Sequence, residues 1–308
     1  MIMEKISLGL CLIFFLENIY AQRVIPDDLG GPRFIAWNND YQYLSGFDNK
    51  QNTWSENLNY IGLGSNPENY LTIGGEGRWM YEYLNHASAN LNPNDRNESV
   101  AQRLRFFEDL HFNKNFRLFL ELGDNWAFDA EVPTPANYDA FDIQKLFFDY
   151  RFNLTDDINF SFRPGRFVMP LGSKIIVSTR DGSNVQYNYD GLRAWLNYKD
   201  HVKVDLFDDK TDQNLELKGI YVNSKLDNQR LSQPQLDVYY FDMHHDQRML
   251  TNTFVEQNRK SIGARLFGRH KSFNYDLEYI QQFGKYGDQD IDAYAVFSNF
   301  GYTFKQNY

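Results

Sequence analysis

The sequence predicts an all-β protein, an antiparallel transmembrane β-barrel. Three observations support this prediction. Segments of about ten residues alternate apolar and polar side chains, and this is the length that a tilted strand needs to cross a bilayer. Aromatic residues make up 17% of the chain although the mean hydropathy is −0.60, a combination typical of strands with one polar face. The connections between segments are alternately long and short, as in outer-membrane barrels.

The chain begins with a stretch that has the features of a secretory signal peptide, residues 1–21. Lys5 precedes an apolar core at residues 6–16, and Ala21 is the small residue expected at a cleavage site. An uncleaved N-terminal helix is the alternative. Cys11, the single cysteine, lies in this apolar core, so the mature chain can form no disulfide. The signal predicts export, and a barrel then predicts the bacterial outer membrane.

The charge of the chain argues against one class of partner. It has 31 basic and 41 acidic residues, a net charge of −10. Nucleic-acid binding needs an excess of positive charge along a surface, so we expect no nucleic-acid partner.

The first predicted strand covers residues 70–83, where Trp79 and Tyr81 alternate with Glu76 and Arg78. About twelve such segments lie between residues 70 and 302. Later examples are residues 103–112, 116–122, 146–152, 192–198, 202–207, 261–268 and 273–279. Glu108 falls out of phase. Residues 22–69 are polar, aromatic and rich in turn formers, and we predict a periplasmic lead-in segment there, followed by the barrel at residues 70–308.

The long predicted connections lie at one end of the strands and the short ones at the other. Long ones are expected at residues 85–99, 124–139, 169–188 and 243–260, and short ones at residues 113–115, 155–157 and 199–201. Residues 223–233 are too long for their turn. With the N-terminus in the periplasm, the first strand runs outward and the long loops face the exterior.

In a barrel the apolar face meets lipid, so the opposite face lines the lumen. Alternation sends these cations to that face: Arg78, Arg103, Arg105, Arg117, Lys145, Arg163, Arg193 and Arg265. The carboxylates that would balance them are Glu76, Asp109, Glu121 and Asp149. Guanidinium groups match carboxylates, which favours a pathway for an anion. The alternative is a lattice of lumenal salt bridges that stiffens the barrel.

Several stretches resemble the alginate-export family of bacterial outer-membrane porins. They are YLTIGGEGRWMYEY, NFRLFLELGDNW, GYTF and, most densely, the span from Arg163 to Arg193, where RPGR, LGS, STRDGSNV and DGLR occur in order. The resemblance runs from about residue 60 to the end. It implies a monomeric barrel of about eighteen strands in outer-membrane lipid, whose arginine-lined lumen passes an anionic uronate polysaccharide outward. It also implies periplasmic export machinery as a partner.

The resemblance adds two arginines to the pathway, Arg166 and Arg180. Arg166 is out of phase with Arg163, so it reaches the lumen only if Pro164 and Gly165 form a bulge that resets the register. The chain has about twelve of the implied eighteen strands, and the last is followed only by KQNY. We therefore expect a chain that is incomplete at its C-terminus.

Two other functions stay open. One is a secreted soluble β-rich protein that binds or cleaves polysaccharide, and the other is a generic porin whose arginines are structural. The sequence predicts no catalytic residue, metal or cofactor. Ser178 lacks a nucleophile-elbow sequence, and the adjacent His244 and His245 point apart in a strand. The acidic runs at residues 208–214 and 287–292 lack the spacing of a calcium loop.

Overall fold

The computed structural model describes residues 35–46, 54–85, 96–130, 136–199, 201–211, 215–226, 234–250 and 253–304. The predicted signal peptide and the start of the predicted lead-in segment lie outside these residues. In the part that is described, no helix is long and apolar enough to cross a membrane.

Almost all regular structure is strand. The one α-helix, α1, is Trp54–Asn59, and two 3₁₀ turns cover Ala36–Asn38 and Gln42–Gly46 among the described residues. The strands are β1 Ile61–Gly62, β2 Tyr70–Asn85, β3 Arg96–Phe112, β4 Phe116–Phe128, β5 Asp139–Asn153, β6 Ile158–Phe167, β7 Tyr189–Tyr198, β8 Val202–Thr211, β9 Leu215–Lys225, β10 Gln235–Leu250, β11 Thr253–His270, β12 Phe273–Tyr286 and β13 Gln289–Tyr302.

All strands belong to one sheet, in which each strand pairs antiparallel with its neighbours in the chain, so the order is β1 to β13. The all-β antiparallel prediction is therefore confirmed. The long strands β2 to β13 begin at Tyr70 and end at Tyr302, the limits that the alternation predicts. Among the described residues β13 pairs only with β12, so the described sheet has a free edge there.

Exposure on the two faces of the sheet is the reverse of that in a soluble protein, because apolar side chains are exposed and charged ones are buried. Trp79 and Tyr81 on one face are 48% and 64% exposed, whereas Arg103 and Glu121 on the other are 2% and 4% exposed. We call the first the outer face and the second the inner face. Charged side chains are rarely buried without partners, and exposed apolar side chains on this scale need a partner of their own. An apolar outer face suits lipid.

The exposed apolar side chains of the outer face form a band that we call the apolar belt. On β8 and β9 the belt ends at Leu206 and Ile220, and charged pairs follow. Lys218 lies 3.3 Å from Asp208, and Lys210 lies 3.4 Å from Glu216, all of them solvent-exposed. The strands thus continue beyond the belt at the end that carries the long connections. The out-of-phase Glu108 is exposed on the outer face, in register with Ile73 and Leu120.

One predicted long loop is wrong. Residues 243–260 lie mostly in strands, because β10 runs to Leu250 and β11 starts at Thr253. The acidic residues 208–211 likewise lie in β8 rather than in a loop. These segments are mostly polar, since they extend past the apolar belt, so apolar alternation could not reveal them. Backbone pairing to the neighbouring strand holds them.

The predicted outer loop at residues 169–188 folds inward instead. Strand β6 is short, and Arg166 near its end pairs with Leu146 in the middle of β5. The chain leaves the sheet at that level and crosses the inner face before β7 begins. We call residues 168–188 the strap. Its apolar side chains, among them Met169, Leu171 and Val177, are buried against the sheet.

Candidate ligand pathway on the inner face

The largest group of cations lies on β2 to β5 and combines Arg78, Arg103, Arg105 and Lys145 with Glu76 and Glu121. We call this group the cationic cluster. The register brings its members together, because Glu76 pairs with Arg105, Arg78 with Arg103, and Glu121 with Lys145. In an antiparallel sheet, directly opposed residues on one face have neighbouring side chains.

The cationic cluster has four cations and two carboxylates, so two positive charges are uncompensated within it. Arg103 donates to Glu76, with 3.0 Å from Nε to Oε1, and Lys145 donates to Glu121. Arg105 lies 3.7 Å from both carboxylates. Nε and Nη2 of buried Arg105, and Nε of Arg78, have no hydrogen-bond partner among the described residues. Buried donors of this kind are costly unless a ligand or water accepts from them.

The strap lies directly over this cluster. Arg78 donates to the carbonyl of Ser183 at 3.1 Å and to Oδ1 of Asn184 at 3.3 Å, and Arg103 also donates to the Ser183 carbonyl, at 3.3 Å. Fully buried Asn184 directs its amide nitrogen at the carbonyls of Gln102, Trp126 and Asn137, at 2.8, 3.2 and 3.0 Å.

The other end of the strap reaches the far side of the sheet. Ser173 donates to Glu278 on β12, and Tyr239 donates to the same carboxylate at 2.7 Å. Leu171 and Val177 pack in an aromatic core that includes Tyr221 and Tyr239. Because the strap contacts β2 and β3 at one end and β12 at the other, the sheet curves around it.

Four other arginines of the inner face form closed ion pairs with carboxylates. Arg163 makes a bidentate pair with Asp149 at 2.6 Å for both bonds. Equivalent pairs are Arg117 with Asp109, Arg193 with Asp205, and Arg265 with Asp276 and Asp237. Their guanidinium groups are therefore occupied, as expected for arginines that form lumenal salt bridges.

Arg163 also stands in an aromatic enclosure that includes part of the lead-in segment. Its guanidinium carbon lies 4.0 Å from the ring centroid of Phe147 and 5.5 Å from that of Trp37. Trp37 packs edge-on against Phe119 and Phe147, with centroids 5.1 Å apart in each pair. Residues 35–46 therefore rest on the inner face. Burial raises the pKa of Tyr41 in this segment, and the nearby Tyr43 and Asp109 raise it further.

Two predicted pathway residues have distinct positions. Arg166 is not on the inner face: the β5–β6 register is unbroken past Gly165, so no bulge resets the phase, and Arg166 sides with exposed Leu146. There it forms a bidentate pair with Asp190 at 2.8 Å. Arg180 lies in the strap, 3.6 Å from the ring centroid of Tyr187, and has no ion pair among the described residues.

Sequence reasoning missed three of the side chains that shape the site. The only sequence signal for Asn184 is its place in the STRDGSNV motif, and the only one for Ser173 is its place in LGS. Trp37 lies in a polar segment without alternation, so nothing in the pattern distinguished it. Among the described residues, no group of three or more His, Cys, Asp or Glu side chains is arranged to hold a metal ion.

One comparison with known proteins gives a match. Residues 69–308 match the family model described as alginate export. No curated protein matches the chain at a significant level.

Proposed function

The chain belongs to the alginate-export family, a transport family, and from this premise we propose that it is an outer-membrane porin that passes an anionic uronate polysaccharide through an arginine-lined lumen. The family match and the all-β sheet fit an outer-membrane β-barrel porin for polysaccharide transport. In our proposal transport is facilitated diffusion without a covalent step. Export of the chain through a signal peptide, insertion into outer-membrane lipid as a monomer and contact with periplasmic export machinery belong to the same proposal.

The observation that carries this proposal is the uncompensated charge of the cationic cluster. A uronate carboxylate loses water when it enters a narrow lumen, and guanidinium groups with unused donors replace those hydrogen bonds. Arg78, Arg105 and Arg180 are the cations best placed to do so, because Arg78 and Arg180 have no ion pair among the described residues and Arg105 has unsatisfied donors.

The closed pairs contribute in another way. Arg117, Arg163, Arg193 and Arg265 each hold a carboxylate, so they stiffen the sheet and give the lumen alternating charge. Conduction requires binding that is weak and repeated rather than tight. A lumen in which a few cations are uncompensated and most others are neutralised meets this requirement. The anion pathway and the lumenal salt bridges are therefore compatible hypotheses.

The test is the preference for uronates in liposomes. We expect Arg78→Gln combined with Arg105→Gln to lower the uptake of alginate trisaccharide relative to maltotriose by at least roughly tenfold, since even one charge-assisted bond contributes about 1.5–3 kcal/mol. Arg166→Gln is the matched control, because it removes the same charge from the outer face. An equal loss of preference in the control, or an unchanged preference in the double variant, would contradict the proposal.

A further inference from the structure

We propose that the strap is a gate that the anionic ligand itself opens, by taking the guanidinium groups of Arg78 and Arg103 from the Ser183 carbonyl. This inference rests on the proposed function and adds its regulation. Without ligand the strap stays docked across the inner face. A passing carboxylate releases the end of the strap at residues 183–185.

The bonds that hold this end are made to neutral acceptors. Arg78 donates to the Ser183 carbonyl at 3.1 Å and to Asn184 at 3.3 Å, and Arg103 adds a third bond at 3.3 Å. A carboxylate offers a guanidinium two parallel hydrogen bonds and an opposite charge, whereas a carbonyl offers one neutral acceptor. A uronate carboxylate therefore competes favourably with the carbonyl for Arg78, which has no ion pair of its own among the described residues.

The two ends of the strap are held unequally. Besides the arginine bonds, residues 183–185 are held by the Asn184 amide, whose two hydrogens are shared among three carbonyls, by one backbone bond from Val185 to Ala136 at 2.8 Å and by the small side chain of Val185. Residues 171–173 are held instead by buried Leu171 and by the bond from Ser173 to Glu278. The first end is the one that a ligand can release while the second stays in place.

The backbone already contains bends between these ends. Lys174 and Arg180 have φ values of 67° and 53°, in the left-handed region that residues other than glycine rarely adopt. Arg180 lies shortly before Ser183, where the end that we expect to move begins. Hinges are commonly a few loop residues that absorb a change in φ and ψ, so this position suits a pivot.

Hydrogen exchange of the full chain in detergent tests the gate. We expect alginate trisaccharide to accelerate exchange at the Val185 amide and its neighbours several-fold, because the bond to Ala136 is lost, while maltotriose has no effect. Asn184→Ala should accelerate the same amides without ligand. Asn125→Ala is the matched control, since Asn125 is as fully buried but its amide has no partner among the described residues.

Binding measured by calorimetry on the same samples separates the two hypotheses. If the trisaccharide binds in preference to maltotriose but exchange in the strap is unchanged or slower, the gate is refuted and the proposed function stands. If the trisaccharide does not bind, the proposed function fails and the gate with it. The wild-type comparison needs no variant, so the test remains decisive even if Asn184→Ala does not fold.

Discussion

At the scale of single residues, the arginines of one face divide by what they touch. Arg163 and Arg265 each donate two hydrogen bonds to one carboxylate. Arg105 lies 3.7 Å from two carboxylates, and its Nε and Nη2 have no hydrogen-bond partner among the described residues. Residue type and phase are the same for all three. The difference lies in the available carboxylates, because Glu76 and Glu121 already accept hydrogen bonds from Arg103 and Lys145.

Gly165 shows how strongly one backbone position constrains the site. Its φ is 124°, and a Cβ added there would lie 2.2 Å from the carbonyl oxygen of Leu146. Glycine alone tolerates this conformation and this approach of the next strand. The position lies two residues before the end of β6, so it helps to set where the strap leaves the sheet.

We expect Gly165→Ala to lower the free energy of unfolding by about 3 kcal/mol or more, through backbone strain together with the clash. Urea titration of refolded protein, followed by the heat-modifiable shift on gels, measures this loss. Gly182→Ala in the strap is the control, because an added Cβ would meet nothing within 4 Å. Equal urea midpoints for the two variants would show that the backbone conformation at Gly165 does not affect stability.

At the scale of elements, two segments that are not strands occupy the inner face. The strap enters from the level of mid-β5, and residues 35–46 enter from the N-terminal side. They meet a shared aromatic surface, in which Phe147 and Phe167 contact each other and Trp37 contacts Phe147. Docking of the lead-in segment therefore depends on one large side chain, since Trp37 makes most of the described ring contacts of that segment with the sheet.

We expect Trp37→Ala to undock residues 35–46 without unfolding the sheet. Truncating a buried Trp costs roughly 3–5 kcal/mol, which corresponds to more than a hundredfold in a local opening equilibrium. The readout is the rate of maleimide labelling of a cysteine introduced by Leu44→Cys, a site that is 2% exposed. Trp54→Ala, at a tryptophan that is 76% exposed, should leave the rate unchanged. A slow rate in both variants would contradict this role of Trp37.

At the scale of the whole molecule, the apolar belt is the feature that distinguishes a membrane protein from a soluble one. In a soluble sandwich the side chains at Val238 and Leu277 would be covered by a second sheet, but they are 44% and 38% exposed. The charged pairs beyond Leu206 then mark where the lipid surface ends on that side.

We expect Val238→Arg to lower the free energy of unfolding in lipid vesicles by about 2–4 kcal/mol, the cost of a cation facing the hydrocarbon. Gln247→Arg, on the same strand but beyond the belt, should change it by less than about 1 kcal/mol. Urea-induced unfolding monitored by tryptophan fluorescence gives both values. A neutral effect of Val238→Arg would favour the soluble alternative.

Much of the sheet could be predicted from the sequence, and the reason is local. Alternation at Trp79, Tyr81 and their equivalents depends only on the strand itself and on lipid, so it placed the limits of the sheet correctly. It failed for residues 243–260 because the outer face there is mostly polar. It could not show the inward path of the strap or the docking of Trp37, since these depend on contacts between distant segments. For Arg166 the alternation was right and the expected bulge was wrong, because the register is unbroken.

The strap also implies an order of assembly. Each strand pairs with the next one in the chain, so hairpins can add one after another with short loop closures. The bonds of Asn184 reach back to strands that have already been made. Ser173 must instead wait for Glu278, which follows it by 105 residues, so this attachment can form only after β12 has joined the sheet. Until then the strap can be held only by the strands that are already present, and its attachment across the inner face is completed late in folding.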